Sequence, residues 1–346
     1  MLAVLDPEQE MLKKTARSLA ASVGVKNPQD LESVDEEKAW RALTDTGFLG
    51  LRLRQDGQPL ASGVEAMIVA QELGGALAAT PFLWSGLLAV ELLELAGLSD
   101  IAESVAGGQE RPGLLLGTDL LGLAGPDDVH AVLVGGVQPD YALAMRRDGS
   151  GGRLVRVEVG DAFAPRAAAD FTAHVAGRVA GSSVATEDIG QPIAAADLDR
   201  WLALALTAVS ADCAGSIRSA LDGVVDYTKH RIAYEVPIGS FQALQHLCAD
   251  AFAACEGAVT TNSYAAWSVD GLDPREALLA ARTAKAWVAS VAREVAETVM
   301  QIYGGIGQTW EHIAHIYARR ALFDTALFGG ENYQLDQIYA MRSGGN

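Results

Sequence analysis

The sequence is poor in basic residues, and this shortage limits the partners it can have. Its 26 lysines and arginines stand against 44 acidic residues, which gives a formal net charge of −18 at pH 7. A nucleic-acid partner requires a basic face against the phosphates, so none is expected. Anionic membrane surfaces are disfavoured for the same electrostatic reason.

Long apolar runs are also missing, although 50% of the residues are hydrophobic. The best candidate for a membrane span, residues 82–98, is interrupted by Glu91 and Glu94. The N-terminus turns acidic without a basic segment or a long apolar core, so no signal peptide is predicted. We therefore expect a cytoplasmic protein, and its high apolar content favours burial of surface against other subunits.

Cysteine is scarce as well. Cys213, Cys248 and Cys255 are odd in number and scattered through apolar, helical segments. This pattern is typical of buried thiols in a reducing compartment, and no metal site is expected from it.

Three zones follow one another along the chain. Residues 1–108 are dominated by helical periodicity, with helix starts predicted at Pro7, Glu36 and Val64. Residues 109–195 contain frequent glycine and short apolar runs, which indicate a small antiparallel β domain with a hairpin turn at residues 149–152. Residues 196–346 return to long helices, which we predict at 201–231, 241–269, 273–303, 310–323 and 331–341.

The first motif covers residues 226–242, where a helix ends in a basic cluster and a Pro-Gly turn leads into the next helix. Ser240 is the predicted N-cap of that helix. Arg231 and Gln242 could converge there on one anion, such as a diphosphate. In the alternative interpretation, Arg231 only complements the helix dipole and Gln242 is an ordinary surface residue.

The second motif is a glycine-rich loop at residues 301–307, Gln-Ile-Tyr-Gly-Gly-Ile-Gly. Such a loop lets the backbone approach a ligand closely, although it is also common as a plain turn between helices. No strand precedes it, so it is not a dinucleotide-binding fingerprint of the Rossmann type.

Together these segments resemble the acyl-CoA dehydrogenase family. The family's Arg-x-x-Phe-Gly-x-Pro-Ile-x-x-Phe-Gln is similar to residues 231–242, and its Gln-x-x-Gly-Gly-x-Gly to residues 301–307. Further similarity lies in residues 40–51, 71–74, 81–82 and 319–321. The resemblance implies a mainly α protein with a small β domain: an N-terminal helical domain, a middle antiparallel β-barrel and a C-terminal four-helix bundle that binds flavin and oligomerises.

The resemblance also implies FAD bound across a subunit interface, with its ADP half held by the neighbouring chain. The residues carried over to that half are Arg231, Tyr234, Gln242, Gln301, Gly304 and Gly305. Two positions depart from the family: Ala233 replaces a hydroxyl residue, and Glu235 replaces a glycine. A carboxylate at position 235 is unfavourable beside a diphosphate unless it points away.

The family's reaction is the α,β-desaturation of an acyl-CoA thioester, which requires a positioned carboxylate to remove a proton from carbon. The two positions that hold this base in the family are occupied here by Ala205 and Phe328, which cannot move a proton. The nearest carboxylates are Asp199 and Glu331, and both also fit as acids at helix starts.

The β zone lacks the two stretches that cradle the flavin ring in the family, Thr-Glu-Pro-x-Ala-Gly-Ser-Asp and Trp-x-x-x-Asn-Gly. The chain therefore resembles the reduced, β-type subunit of an α2β2 actinobacterial dehydrogenase that acts on steroid side-chain CoA esters. A second, catalytic subunit would then supply the base and the ring pocket. The alternatives are a homomeric dehydrogenase with a displaced carboxylate base and a non-enzymatic helical scaffold.

Overall fold

The computed structural model describes residues 4–344. The N-terminal part is helical, as predicted. Asp6 caps the first helix by accepting from the backbone N–H groups of Glu8 and Gln9 at 2.9 and 2.8 Å, and Pro7 occupies the first turn. The helices of this part are α1 (Pro7–Val23), α2 (Glu36–Asp45), α3 (Gly63–Gly75), α4 (Val90–Leu95) and α5 (Ser99–Ala106), with a π-helical segment (Phe82–Ala89) that leads into α4 and a two-residue strand pair, β1 (Arg54–Gln55) and β2 (Gln58–Pro59).

The apolar segment at residues 82–98 lies in the core, and its acidic residues are buried with partners. Arg52 donates to Glu91 at 2.7 Å, and both side chains are 1% exposed. Arg52 also binds both oxygens of Asp270 at 3.0 Å, so the N-terminal helices are tied to the C-terminal ones. Within residues 4–344, no helix is both long and apolar enough to cross a membrane.

The middle part contains the strands β3 (Pro112–Leu116), β4 (Val132–Val134), β5 (Tyr141–Asp148), β6 (Gly151–Glu158), β7 (Phe163–Arg166), β8 (Val175–Arg178) and β9 (Thr186–Ala194). They form a seven-stranded sheet in the order β7-β8-β4-β3-β5-β6-β9. The predicted hairpin around residues 149–152 is confirmed, since β5 and β6 pair from Asp148↔Gly151 to Tyr141↔Glu158. The predicted antiparallel pairing is correct except between β3 and β5, which are parallel. The chain reverses through β4 on one side of β3 and reverses again into β5 on the other, so β5 runs in the direction of β3.

The C-terminal part contains the long helices that the sequence predicted. Asp273 caps the helix that begins at Pro274 by accepting from the N–H groups of Arg275 and Glu276. The helices are α6 (Ala195–His230), α7 (Gln242–Gly271), α8 (Pro274–Tyr303), α9 (Ala314–Ala326) and α10 (Glu331–Ser343), and two more two-residue strands, β10 (Ile232–Ala233) and β11 (Val236–Pro237), separate α6 from α7.

Helix α6 packs against α3 of the N-terminal part and against α7, α8 and α9 of the C-terminal part. Its approach to α3 depends on glycine: a Cβ at Gly74 would lie 2.2 Å from the carbonyl oxygen of Asp212, and one at Gly215 would lie 2.0 Å from that of Gln71. One continuous core therefore runs from the N-terminal helices through α6 to residues 327 and 328.

Candidate functional site

The first predicted motif forms a small hairpin at the end of α6. Arg231 ends that helix, and its carbonyl oxygen accepts from the N–H of Ile238 at 2.8 Å. The tip residues, Tyr234 and Glu235, have φ angles of +53° and +68°. Glycine adopts this left-handed conformation at little cost, whereas other residues are strained in it. Position 235 is therefore one where backbone geometry favours the glycine that the family usually has.

Helix α7 begins two residues beyond Ser240, with Phe241 as its N-cap. The prediction that Ser240 caps this helix was wrong, because Ser240 ends a 3-10 turn and donates its hydroxyl to the carbonyl oxygen of Pro237 at 2.7 Å. No side chain caps α7 in the structure. The N–H of Leu244 donates to the carbonyl oxygen of Phe241 at 3.0 Å, whereas the N–H groups of Gln242 and Ala243 have no partner within residues 4–344 and form a favourable site for an anion.

Polar and aromatic side chains on this hairpin face outward. Arg231 and Gln242 are exposed, and Arg231 makes no ion pair within residues 4–344. Tyr234 is 91% exposed, and its ring contacts Phe241 edge-on at a centroid distance of 6.3 Å. The hairpin thus presents an unpaired cation and an aromatic ring to whatever lies against it.

The second predicted motif lies next to the hairpin. Tyr303 ends α8 and packs on Tyr227 of α6 with ring centroids 5.0 Å apart, so the glycine loop follows directly beside the last turn of α6. Gly304 has φ +63°, and a Cβ built at Gly304 or Gly305 would meet no atom within 4 Å. Gln301 is exposed in the last turn of α8. The loop backbone therefore borders open space that a ligand or another chain could enter.

The two positions that the resemblance assigns to the family's base are buried in the core. Ala205 is 0% exposed and Phe328 is 1% exposed. The Phe328 ring packs edge-on against Trp201 at 6.0 Å and tilted against Trp84 at 6.3 Å. Its N–H donates to the carbonyl oxygen of Leu120 at 2.7 Å, which holds the residue at φ +57°. Aromatic rings therefore occupy this position.

The two nearby carboxylates stand elsewhere. Asp199 precedes Ala205 by six residues of α6, which places it about 9 Å along the helix and on a different face. Burial raises the pKa of Asp199, against the opposing charge of Arg282. Glu331 is exposed as the first residue of α10, where it complements the helix dipole.

The sequence did not reveal a cluster of buried charges at the junction of the three parts of the chain. Arg320 of α9 donates to both carboxylate oxygens of Asp212 at 2.7 Å, and to the carbonyl oxygen of Ala78 and the hydroxyl of Thr172 at 3.0 and 2.9 Å. Burial disfavours the charged guanidinium, but the Asp212 carboxylate outweighs this and raises the pKa of Arg320. The sequence shows only two adjacent arginines at residues 319 and 320. The carboxylate that pairs with Arg320 lies 108 residues earlier, so no local pattern indicates the cluster.

Comparison with known families and relatives agrees with this architecture. Residues 6–101 match the acyl-CoA dehydrogenase N-terminal domain, and residues 201–342 match the C-terminal domain. The acyl-CoA dehydrogenase IpdE2 of Mycolicibacterium smegmatis is 28% identical over 344 residues, which cover 97% of this chain and 99% of that protein. FadE34 of Mycobacterium tuberculosis is 38% identical over 142 residues, but the match spans 41% of this chain and 20% of FadE34.

Two solved structures have the same fold over nearly the whole chain. The ChsE4-ChsE5 complex from Mycobacterium tuberculosis has a TM-score of 0.79 at 24% identity and covers 99% of both chains. A Tcur3481-Tcur3483 steroid ACAD variant has a TM-score of 0.80 at 22% identity and covers 98% of both chains. With both of its terminal domains matched and the helical, β and helical layout in place, the chain belongs to the acyl-CoA dehydrogenase family.

Proposed function

We propose that this chain is the reduced subunit of an FAD-dependent acyl-CoA dehydrogenase composed of two kinds of chain. Its hairpin and glycine loop would contact a flavin that is bound in the partner subunit. The partner would supply the base and the pocket for the flavin ring. The observation that supports this is an asymmetry. The surface that would serve a neighbour is open and polar, whereas the position of this chain's own base is filled by Phe328.

The residues at the open surface fit the ADP half of FAD. Arg231 offers an unpaired guanidinium, and the uncapped start of α7 at Gln242 offers backbone N–H groups, both suited to a diphosphate. Gly304 and Gly305 allow the ligand to approach the backbone, and Gln301 adds an amide at the same loop. When bound, the flavin supplies the hydride acceptor for the desaturation.

The residues at the closed position do not fit the reacting half. Trp84, Trp201 and Phe328 fill the space around the family's base position with apolar rings. The cavity that adjoins Trp84 measures about 40 Å³, enough for water but not for an acyl chain. The work of this chain is therefore to bind and orient the ADP half and to form the interface.

The choice of partner and substrate rests on the relatives. The two similar structures carry two protein names each, and one of them is described as a steroid ACAD. We extend this to an α2β2 assembly in the cytoplasm that desaturates a steroid side-chain CoA ester. In the proposed subunit, the three domains are residues 1–108, 109–195 and 196–346.

Flavin stoichiometry tests the proposal directly. The chain is purified alone and also together with a full-length acyl-CoA dehydrogenase chain encoded nearby, and flavin absorbance is measured per chain. We expect flavin only in the co-purified complex, at one per two chains. Stoichiometric flavin and dehydrogenase activity in the lone chain would sink the proposal in favour of a homomeric enzyme. Flavin in neither preparation would favour the helical scaffold.

A pair of variants tests the role of the hairpin. Arg231→Ala should weaken flavin retention in the complex about tenfold, because a charge-assisted hydrogen bond to phosphate is lost. Lys229→Ala is the matched control, since this exposed cation on the same helix end already pairs with Asp226 at 3.7 Å. Equal retention in both variants would remove Arg231 from the site.

A further inference from the structure

Five charged side chains form a buried cluster where the three parts of the chain meet, and the proposed flavin role uses none of them. They come from the segment between β7 and β8, from α6, from α8 and from α9, and each is at most 8% exposed. The cluster consists of Asp170, Asp212, Lys285, Arg320 and Asp324.

Most members of this cluster have their hydrogen-bonding partners. Asp212 accepts from Arg320 through both oxygens. Asp170 accepts from the N–H of Thr172 at 2.8 Å and from its hydroxyl at 2.7 Å. Lys285 donates to the backbone carbonyl oxygen of Asp324. These contacts leave the Asp324 carboxyl group without a donor.

Asp324 faces the small cavity of about 40 Å³ that Asp170, Asp212 and Arg320 also line. Its Oδ2 atom is buried and has no hydrogen-bond partner within residues 4–344. An ionised carboxylate in that position would be desolvated and uncompensated, which is among the costliest arrangements in a protein interior.

The charge count of the cluster points to what is missing. Its three carboxylates face two cations, Lys285 and Arg320, so the fully ionised cluster carries one uncompensated negative charge. Among the described residues, no group of three or more His, Cys, Asp or Glu side chains is arranged to hold a metal ion. We propose that the cluster binds one proton, held by Asp324 and shared with Asp212, and that this proton allows the three parts of the chain to pack at their junction.

Geometry favours Asp324 over Asp170 as the site of the proton. The two donors from Thr172 stabilise the ionised form of Asp170, whereas no donor stabilises that of Asp324. A protonated Asp324 can instead donate to Asp212, which lies within hydrogen-bonding reach.

The surrounding charges agree with this assignment. Burial raises the pKa of Asp324 well above its usual range, with Asp212 and Asp170 adding to the rise and Arg320 opposing it. Burial also raises the pKa of Asp170, and Arg320 opposes that rise. The second cation of the cluster is Lys285, and the other titratable groups that face the cluster are Cys213 and Tyr317. Burial lowers the pKa of Lys285 to about 8 and raises those of the Cys213 thiol and the Tyr317 hydroxyl.

This arrangement fixes the sign of the pH dependence. Folded Asp324 keeps a proton that the unfolded chain releases above about pH 4. The contribution of this proton to the free energy of unfolding is therefore fully present below pH 4. It decreases as the pH rises towards the raised pKa of Asp324 in the folded state. Between pH 5 and 7 Lys285 is charged in both states, so it adds no slope. In this window the equilibrium constant for unfolding should rise about tenfold per pH unit because of this proton.

Urea unfolding of the full-length protein at pH 5, 6 and 7 tests the proposal. Asp324→Asn mimics the protonated side chain, and Asp336→Asn, an exposed aspartate of α10, is the matched control. At each pH, the unfolding constants of the wild type and of D336N are divided by that of D324N. Both ratios should rise about a hundredfold from pH 5 to pH 7. The proposal is overturned if the unfolding constant depends on pH in the same way in the wild type and in D324N. It is also overturned if Asp170→Asn removes this pH dependence.

Infrared spectroscopy decides the question even if D324N fails to fold. The wild-type protein at pH 7 should show the C=O stretching band of a protonated, buried carboxyl group, and the band should persist in D170N. Absence of the band from the wild type, or its loss in D170N, would contradict a proton on Asp324.

Discussion

Replacement of Glu235 by glycine should stabilise the protein and also strengthen its hold on flavin. Glu235 sits at the tip of the hairpin with φ +68°, in the left-handed region that side chains other than glycine avoid. It is also the one acidic residue of that tip, beside the surface proposed to receive a diphosphate. The two effects have different physical origins and can be separated.

The backbone effect can be estimated from the conformation. Holding a non-glycine residue in the left-handed region costs about 1–2 kcal/mol. Glycine loses about 0.5–1 kcal/mol more conformational freedom on folding than alanine does. The difference predicts that E235G raises the free energy of unfolding by about 0.5–1 kcal/mol. Removal of the exposed charge should tighten flavin binding by about two- to fivefold, which is the range of exposed charge interactions.

Urea unfolding of the apo chain and flavin titration of the complex measure these effects separately. Glu235→Gln removes the charge but keeps the strained backbone, so it should improve flavin binding without a gain in stability. Ala233→Gly is the backbone control. Its residue lies in β10 without a positive φ, so it should lose about 0.5–1 kcal/mol. A less stable E235G would refute the strain argument, and unchanged flavin affinity in E235Q would show that this carboxylate points away from the diphosphate.

Three further predictions concern the buried groups. Phe328→Glu should lower the free energy of unfolding by about 3 kcal/mol or more, because it buries an unpaired carboxyl group among aromatic rings. It should also give the lone chain no dehydrogenase activity. Phe328→Leu should lower the free energy of unfolding less, and urea unfolding together with an acyl-CoA dehydrogenase assay checks both variants. Arg52→Met should lower the free energy of unfolding by about 1.5–3 kcal/mol, since it removes one of the two arginines that pair with the buried Glu91 and the arginine that pairs with the partly exposed Asp270; a loss below 1 kcal/mol would show that the pairing adds little. Burial raises the pKa of the Cys255 thiol to about 12 and also raises that of Cys248, but Cys248 is the more exposed of the two, so iodoacetamide at pH 8 should label Cys248 first by mass spectrometry. Equal labelling of the two thiols in the native protein would contradict the burial that the structure assigns to them.

The order of helical, β and helical zones was predictable because it rests on local patterns. Helix caps such as Asp273-Pro274 and the hairpin turn at residues 149–152 depend on a few neighbouring residues, and the structure has both. The start of α7 was misplaced because a 3-10 turn, which leaves little mark on the sequence, uses Ser240 for its own hydrogen bond. The parallel pairing of β3 with β5 was missed because strand periodicity carries no information about direction.

The sequence by itself determined the family resemblance, the motifs at residues 231–242 and 301–307, and the lack of a carboxylate at Ala205 and Phe328, since each of these is a statement about residue type and spacing. Only the tertiary structure decided that Phe328 is locked between Trp84 and Trp201, because those rings are far apart along the chain. The same holds for the junction cluster, where Arg320 meets a carboxylate 108 residues away. A buried charge is tolerated only where folding brings its partners to it, so no local pattern could have distinguished this arginine from a surface one.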